Sequence, residues 1–201
     1  MYVMRLLTAA DTAAAVTLVQ DRVRALDAEL PGEGAAVPLR IAAFLGTPPS
    51  AGGCVAGLFD DDLLRAVVVL AREDRTPGVD LDACGRQRQR RVLEVVEAYT
   101  HARMRHLRLG VLLSMWVSDQ AACLTPPASR VTVSVHDRRL ADYLCQMCAW
   151  ELERQAQDGG RQVLFLHRAA ERLPALDQAI LTEAALRTAL KTQGPPVEGV
   201  R

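Results

Sequence analysis

Aromatic residues are scarce in this chain, with two Trp, three Tyr and three Phe among 201 residues. Half of the residues are apolar, so any core must be built mainly from Leu, Val and Ala. An excess of one charge is also missing: 24 basic residues face 24 acidic ones. That balance argues against a protein whose main task is to neutralise nucleic-acid phosphates, where one sign should dominate. No stretch approaches the roughly 18–20 apolar residues that a membrane-spanning helix needs. The opening Met1-Tyr2-Val3-Met4-Arg5-Leu6 lacks the charged start, apolar run and small-residue cleavage site of a signal peptide. These absences lead to the expectation of a cytoplasmic protein that binds neither membrane nor nucleic acid. The cysteines, at 54, 84, 123, 145 and 148, are odd in number and scattered. Cys145 and Cys148 form a C-x-x-C, but no second pair completes a zinc site, so reduced structural cysteines and no metal are expected.

What is present alternates between strand and helix signals. Residues 2–8 read as a strand ending at Thr8, a residue able to cap the helix that follows. Ala15, Val16, Val19, Val23 and Leu26 carry a helical spacing that Pro31-Gly32 breaks. A short helix is expected near 38–45. Cys54–Phe59 and Leu64–Ala71 are apolar runs joined by Asp60-Asp61-Asp62, the pattern of a hairpin. A long loop over 72–91 leads to a strand at Val92–Thr100, then a helix from Val111 to about Cys123, stopped by Pro126-Pro127. Arg130–Val135 alternates Val with Thr and Ser and reads as a strand. Arg138–Ala149 reads as a helix, Trp150–Glu153 as the start of a strand, Gln155–Gly160 as a turn and Gln162–His167 as the last strand. One helix is expected from Pro174 to about Leu190, with a disordered tail beyond it. The order implies an α/β fold: a mixed, mostly antiparallel sheet with helices on both faces and a C-terminal tail helix.

The chemistry concentrates where the strand 92–100 leads into the helix after it. A loop entering a helix N-terminus turns backbone N–H groups outward, and the helix dipole favours an anion there. Arg105-His106-Leu107-Arg108-Leu109-Gly110-Val111 resembles the acyl-CoA signature of the GNAT superfamily of N-acetyltransferases, Gln/Arg-x-x-Gly-x-Gly/Ala followed by an apolar helix. Arg105 stands at the first position and Gly110 at the last, whereas Arg108 replaces the middle glycine. Downstream, Val131–Val135, then Asp137 to Leu144, then Trp150-Glu151-Leu152-Glu153 are similar in order to the second half of that fold. The resemblance covers about residues 1–170 as one domain; the helix and tail of 171–201 lie beyond it.

The resemblance implies that residues 105–111 hold the diphosphate of acetyl-CoA or another acyl-CoA. It also implies that Ala98, Tyr99 and Thr100 offer the strand edge to the pantetheine, much as an added strand would be received. Glu94 and Glu97 become candidates for the base that deprotonates an amine. Three apart on a regular strand they should face opposite sides, so that only one lines the cleft. Each could instead be solvated or paired with arginine. The proton donor to the leaving thiolate is usually a tyrosine at the position of Leu144; Tyr143 stands beside it, rotated by about 100° on a helix. The expected activity is acyl transfer from acyl-CoA to a primary amine of a small molecule or peptide. The alternative is a degenerate fold that binds acyl-CoA or a protein partner without turnover, which Arg108 and Leu144 favour. The C-terminal helix must pack on something, its own sheet or a second copy in a homodimer, and the first is expected.

Overall fold

The chain opens with strand β1 (Tyr2–Leu6), a single 3₁₀ turn (Ala9–Asp11) and helix α1 (Thr12–Glu29). The computed structural model describes residues 1–29, 53–73, 91–103 and 108–192. Thr8 stands at the helix entry in extended backbone, and the Asp11 carboxylate accepts both its N–H at 2.9 Å and its hydroxyl at 2.7 Å. Arg5 grips the same carboxylate through both guanidinium nitrogens, each at 2.8 Å. That bidentate pair holds the Asp11 carboxyl well below the usual carboxylate range.

A hairpin follows, β2 (Gly53–Asp60) and β3 (Leu63–Glu73), turned by Asp61 and Asp62 with Asp61 at a φ of 54°. Aspartate tolerates that left-handed conformation, which two-residue hairpin turns demand. Strand β4 (Val92–Thr100), helix α2 (Leu109–Cys123), strand β5 (Arg130–Val135) and helix α3 (Arg138–Cys148) come next. A second hairpin, β6 (Glu151–Asp158) and β7 (Arg161–Ala169), precedes a closing segment. That segment consists of α4 (Leu176–Ala179), β8 (Ile180–Thr182) and α5 (Ala184–Thr192).

All eight strands join one sheet in the order β6-β7-β5-β4-β3-β2-β1-β8. The β4–β5 and β8–β1 neighbours are parallel and the others antiparallel. On one face, Ala15, Leu18, Val19 and Val23 of α1 pack on Val55, Val67 and Val69. The opposite face carries the larger core, where Leu113, Trp116 and Val117 of α2 meet Leu58, Val68, Leu93 and Val131. The expected mixed sheet with helices on both faces is what the chain forms.

Two expectations change. Residues 155–158 do not turn; they extend β6, and the reversal is made by Gly159 and Gly160 at φ values of 56° and 81°. The tail is not one helix, because Ile180–Thr182 leave the helical path and pair with Tyr2–Met4. Ile180 and Thr182 are buried while Leu181 is exposed, the two-residue alternation of a strand inside an otherwise helical stretch. The short helix near 38–45, most of the 72–91 loop and the tail after 192 lie outside the described residues.

Candidate acyl-donor site

Strands β4 and β5 pair from Val92↔Arg130 to Val95↔Val133 and then part. Beyond that point β5 runs on to Val135 against β7, and β4 runs on to Thr100 against β3. The sheet therefore splits between its two central parallel strands. Ala98, Tyr99 and Thr100 lie on the β4 side of the split, where an extended ligand could continue the sheet. Ala98 is exposed there.

The register along β3 overturns one expectation. Leu70 pairs with Val95 but Val69 pairs with Glu97, so Val96 is an extra residue, a β-bulge. Glu94 stands opposite Ala71 and Glu97 opposite Val69, positions two apart on β3. Neighbours two apart share a face. The two glutamates thus lie on one face of β4, the face that α1 covers further along the sheet, rather than on opposite faces. Val96 and Tyr99 pack against the α1 cluster, and the Tyr99 hydroxyl donates to Glu97 Oε2 at 3.5 Å.

Helix α2 starts at Leu109, nine residues after the end of β4 at Thr100. Arg108 precedes the helix with φ 48° and ψ 38°, and its carbonyl accepts the N–H groups of Val111 at 2.9 Å and Leu112 at 3.1 Å. The amides of Leu109 and Gly110 precede the first intrahelical bonds, as at any helix start. Arg108 occupies the left-handed region, so a glycine suits this position on backbone grounds alone. Leu109 turns into the core, and Val111 packs against its edge. Gly110 faces α3: a Cβ built on it would stand 3.2 Å from the Tyr143 Oη and 3.3 Å from Cε1. Only a residue without a side chain leaves the tyrosine its place undisturbed.

Tyr143 is thereby set against the helix start, 38% exposed, whereas Leu144 packs against the core. Behind Tyr143 lies a polar group that sequence reading missed. The Cys148 thiol lies near the Tyr143 and Ser114 hydroxyls, and the Trp150 indole N–H donates to Ser114 Oγ at 3.0 Å. Burial raises the Tyr143 phenol, with the Cys148 thiol adding to the rise and the Arg108 guanidinium opposing it. Burial likewise raises the Cys148 thiol, against hydrogen bonds from Ser114 and Tyr143. Ser114 lies four residues after Gly110, on the same helix face, and that spacing was the available signal. Arg105, His106 and Leu107 lie outside the described residues.

A recess of about 370 Å³ opens at the opposite end of α2, beside Cys123, Arg172 and Arg187. Arg172 is held there by Asp119 and Asp177, far along the helix from the strand split. Among the described residues no group of three or more metal-ligating side chains converges.

No family model matches the sequence, and no curated protein matches it. Solved structures do. An N-acetyltransferase from Thermoplasma acidophilum, PaiA, solved in complex with coenzyme A, is 12% identical over 84% of this chain and 99% of its own, with a TM-score of 0.57. An acetyltransferase of the GNAT family from Streptococcus agalactiae is 10% identical over 85% of this chain and 96% of its own, with a TM-score of 0.60. Naa50 from Arabidopsis thaliana, in complex with a bisubstrate analogue containing CoA, is 10% identical over 84% of this chain and 98% of its own, with a TM-score of 0.52.

Proposed function

Because the chain has the fold of the GNAT N-acetyltransferases, we propose that it transfers an acetyl or other acyl group from acyl-CoA to a primary amine of a small molecule or peptide. The observation that carries this reading is the parting of β4 from β5 beyond Val95 and Val133, with the start of α2 following β4. The residues present fit such a ligand. The split leaves room for an extended chain beside Ala98, Tyr99 and Thr100, and the side-chain-free Gly110 opens the first turn to an anion.

Bound acyl-CoA would supply an acyl group activated as a thioester. The amides of Leu109 and Gly110 hold the diphosphate, helped by the Arg108 guanidinium. Glu97 takes a proton from the acceptor ammonium and passes it to solvent, so that the neutral amine can attack the thioester carbonyl. As the C–S bond breaks, the nitrogen gives its second proton to water, and water protonates the departing sulfur. Glu94, on the same face, orients the acceptor. A cytoplasmic setting, where thiols stay reduced, fits the free Cys54, Cys123, Cys145 and Cys148.

A second reading, binding without turnover, is favoured by one observation: the side chain at 144 is a leucine packed against the core, where the resemblance calls for a tyrosine. One experiment separates the two. Thermal shift with CoA and acetyl-CoA reports binding, and thiol release against a panel of amines reports turnover. Stabilisation together with thiol release supports the enzyme, and stabilisation without release from any amine supports the second reading. An unmoved transition at millimolar ligand removes both.

A further inference from the structure

We infer that Tyr143 belongs to the cradle for the diphosphate of acyl-CoA, donating its phenolic hydrogen to a phosphate oxygen, and is not the proton donor to the leaving sulfur. The inference rests on the acyl-CoA reading above.

Position is the first argument. A Cβ at Gly110 would stand 3.2 Å from Tyr143 Oη, so the hydroxyl lies against the second residue of α2. That is the turn whose outward amides and dipole make an anion favourable. Arg108, at the N-cap of α2, adds a positive charge that opposes the rise of the phenol. Two amides, an arginine and a phenol thus belong to one end of the helix, donors of the kind a diphosphate takes.

The second argument is support. Tyr143 sits on one helix and Gly110 on another, and both are rigid elements. Behind the ring the Cys148 thiol lies near Tyr143 and Ser114, and Ser114 accepts from the Trp150 indole at 3.0 Å. Ser114, Cys148 and Trp150 are all buried. The close approach of Gly110 leaves the ring its place, and a thiol, being a weak acceptor, does not hold the phenolic proton firmly. A phosphate oxygen is a far better one, and an ionised acceptor roughly doubles the strength of the bond. The outer side of the ring remains reachable at 38% exposure.

The third argument is the neighbour. Leu144, one position on, turns into the core, so this helix offers its aromatic side chain to the helix start instead. On a helix that shift of one residue turns the phenol by about 100°.

Tyr143→Phe keeps the ring and removes only the donor. Calorimetric titration with CoA should show Kd rising about tenfold, as for one lost hydrogen bond to a charged acceptor. The ³¹P resonances of bound CoA should differ between wild type and variant at the diphosphate, while the 3′-phosphate resonance stays put. The KM for acetyl-CoA should rise in step with Kd and account for most of the loss in kcat/KM. An unchanged Kd with kcat reduced a hundredfold or more would make Tyr143 the proton donor and overturn the inference while sparing the function. Diphosphate resonances that match in the two proteins would overturn it equally. Failure of the wild type to bind CoA would remove the acyl-CoA reading itself.

Discussion

Glu94 and Glu97 share one face of β4 because Val96 is inserted between the register pairs Leu70↔Val95 and Val69↔Glu97. Without the bulge they would look to opposite sides of the sheet. With it, both lie on the face that α1 covers, and Glu97 accepts from the Tyr99 hydroxyl at 3.5 Å. Glu97→Gln should lower kcat by about 10²–10⁴-fold with CoA affinity little changed, as expected for loss of a general base. Glu94→Gln should act mainly on KM for the amine. Full activity in both variants, measured with an amine that the wild type acetylates, would sink the assignment.

Arg108 sits at a φ of 48°, a conformation that disfavours any residue with a Cβ. Arg108→Gly should therefore stabilise the fold by up to about 1 kcal/mol, after allowing for the extra entropy of an unfolded glycine. In a chain of this size that corresponds to about 2–4 °C in Tm. Affinity for CoA should fall at the same time, and its dependence on salt should flatten, because a cation has left the cradle. Clearly tighter CoA binding by the glycine variant would mean that the arginine obstructs the site.

The strands that frame the split were legible because their patterns are local. Val131, Val133 and Val135 alternate with polar residues, and β5 spans Arg130–Val135 as that alternation requires. The hairpin around Asp61 and the strand Val92–Thr100 were legible for the same reason. The bulge at Val96 was not, since a single inserted residue in Val-Glu-Ala leaves no mark on composition and is visible only against β3. The break at Ile180 was hidden in a similar way. Leu176, Ile180 and Leu186 satisfy a helical stripe as readily as they satisfy a turn, a strand and a second helix, and the open edge of β1 decides between them. Tyr143 could be named from sequence, but its partner Gly110 and its support from Cys148 depend on how α2 and α3 lie together.

Acid should weaken the entry to α1. The Asp11 carboxyl is held below its ordinary value, first by the Arg5 guanidinium and then by Thr8, against the opposing effect of burial. A group whose folded pKa is depressed contributes stability that is present above its unfolded value near 4 and lost as pH falls through the folded value. Tm of the wild type should therefore drop more steeply below about pH 4 than that of Asp11→Asn. At pH 7 the variant should be less stable by about 1–2 kcal/mol, the scale of a lost helix cap with a charged partner. Parallel pH profiles for the two proteins would show that the pair contributes nothing.

The closing segment should behave as part of the fold. Leu186 and Leu190 are fully buried in the main core, and Ile180 and Thr182 border β1. Thr182 also receives the Trp116 indole N–H at 3.0 Å, and Arg172 pairs with the buried Asp119 carboxylate. Removing residues 172–201 would expose the β1 edge, strip one wall from the core and leave Asp119 without its cation. Such a truncation should lose its cooperative thermal transition and aggregate. Because a truncation can fail for several reasons, Leu186→Ala gives a finer test. Its cost should fall between about 2 and 5 kcal/mol, the range for a buried leucine cut to alanine. Light scattering on both proteins decides the alternative of docking on a second copy. If the truncated chain stays folded and passes from dimer to monomer, the segment is an interface. If Leu186→Ala is destabilised at unchanged mass, the segment holds its own sheet.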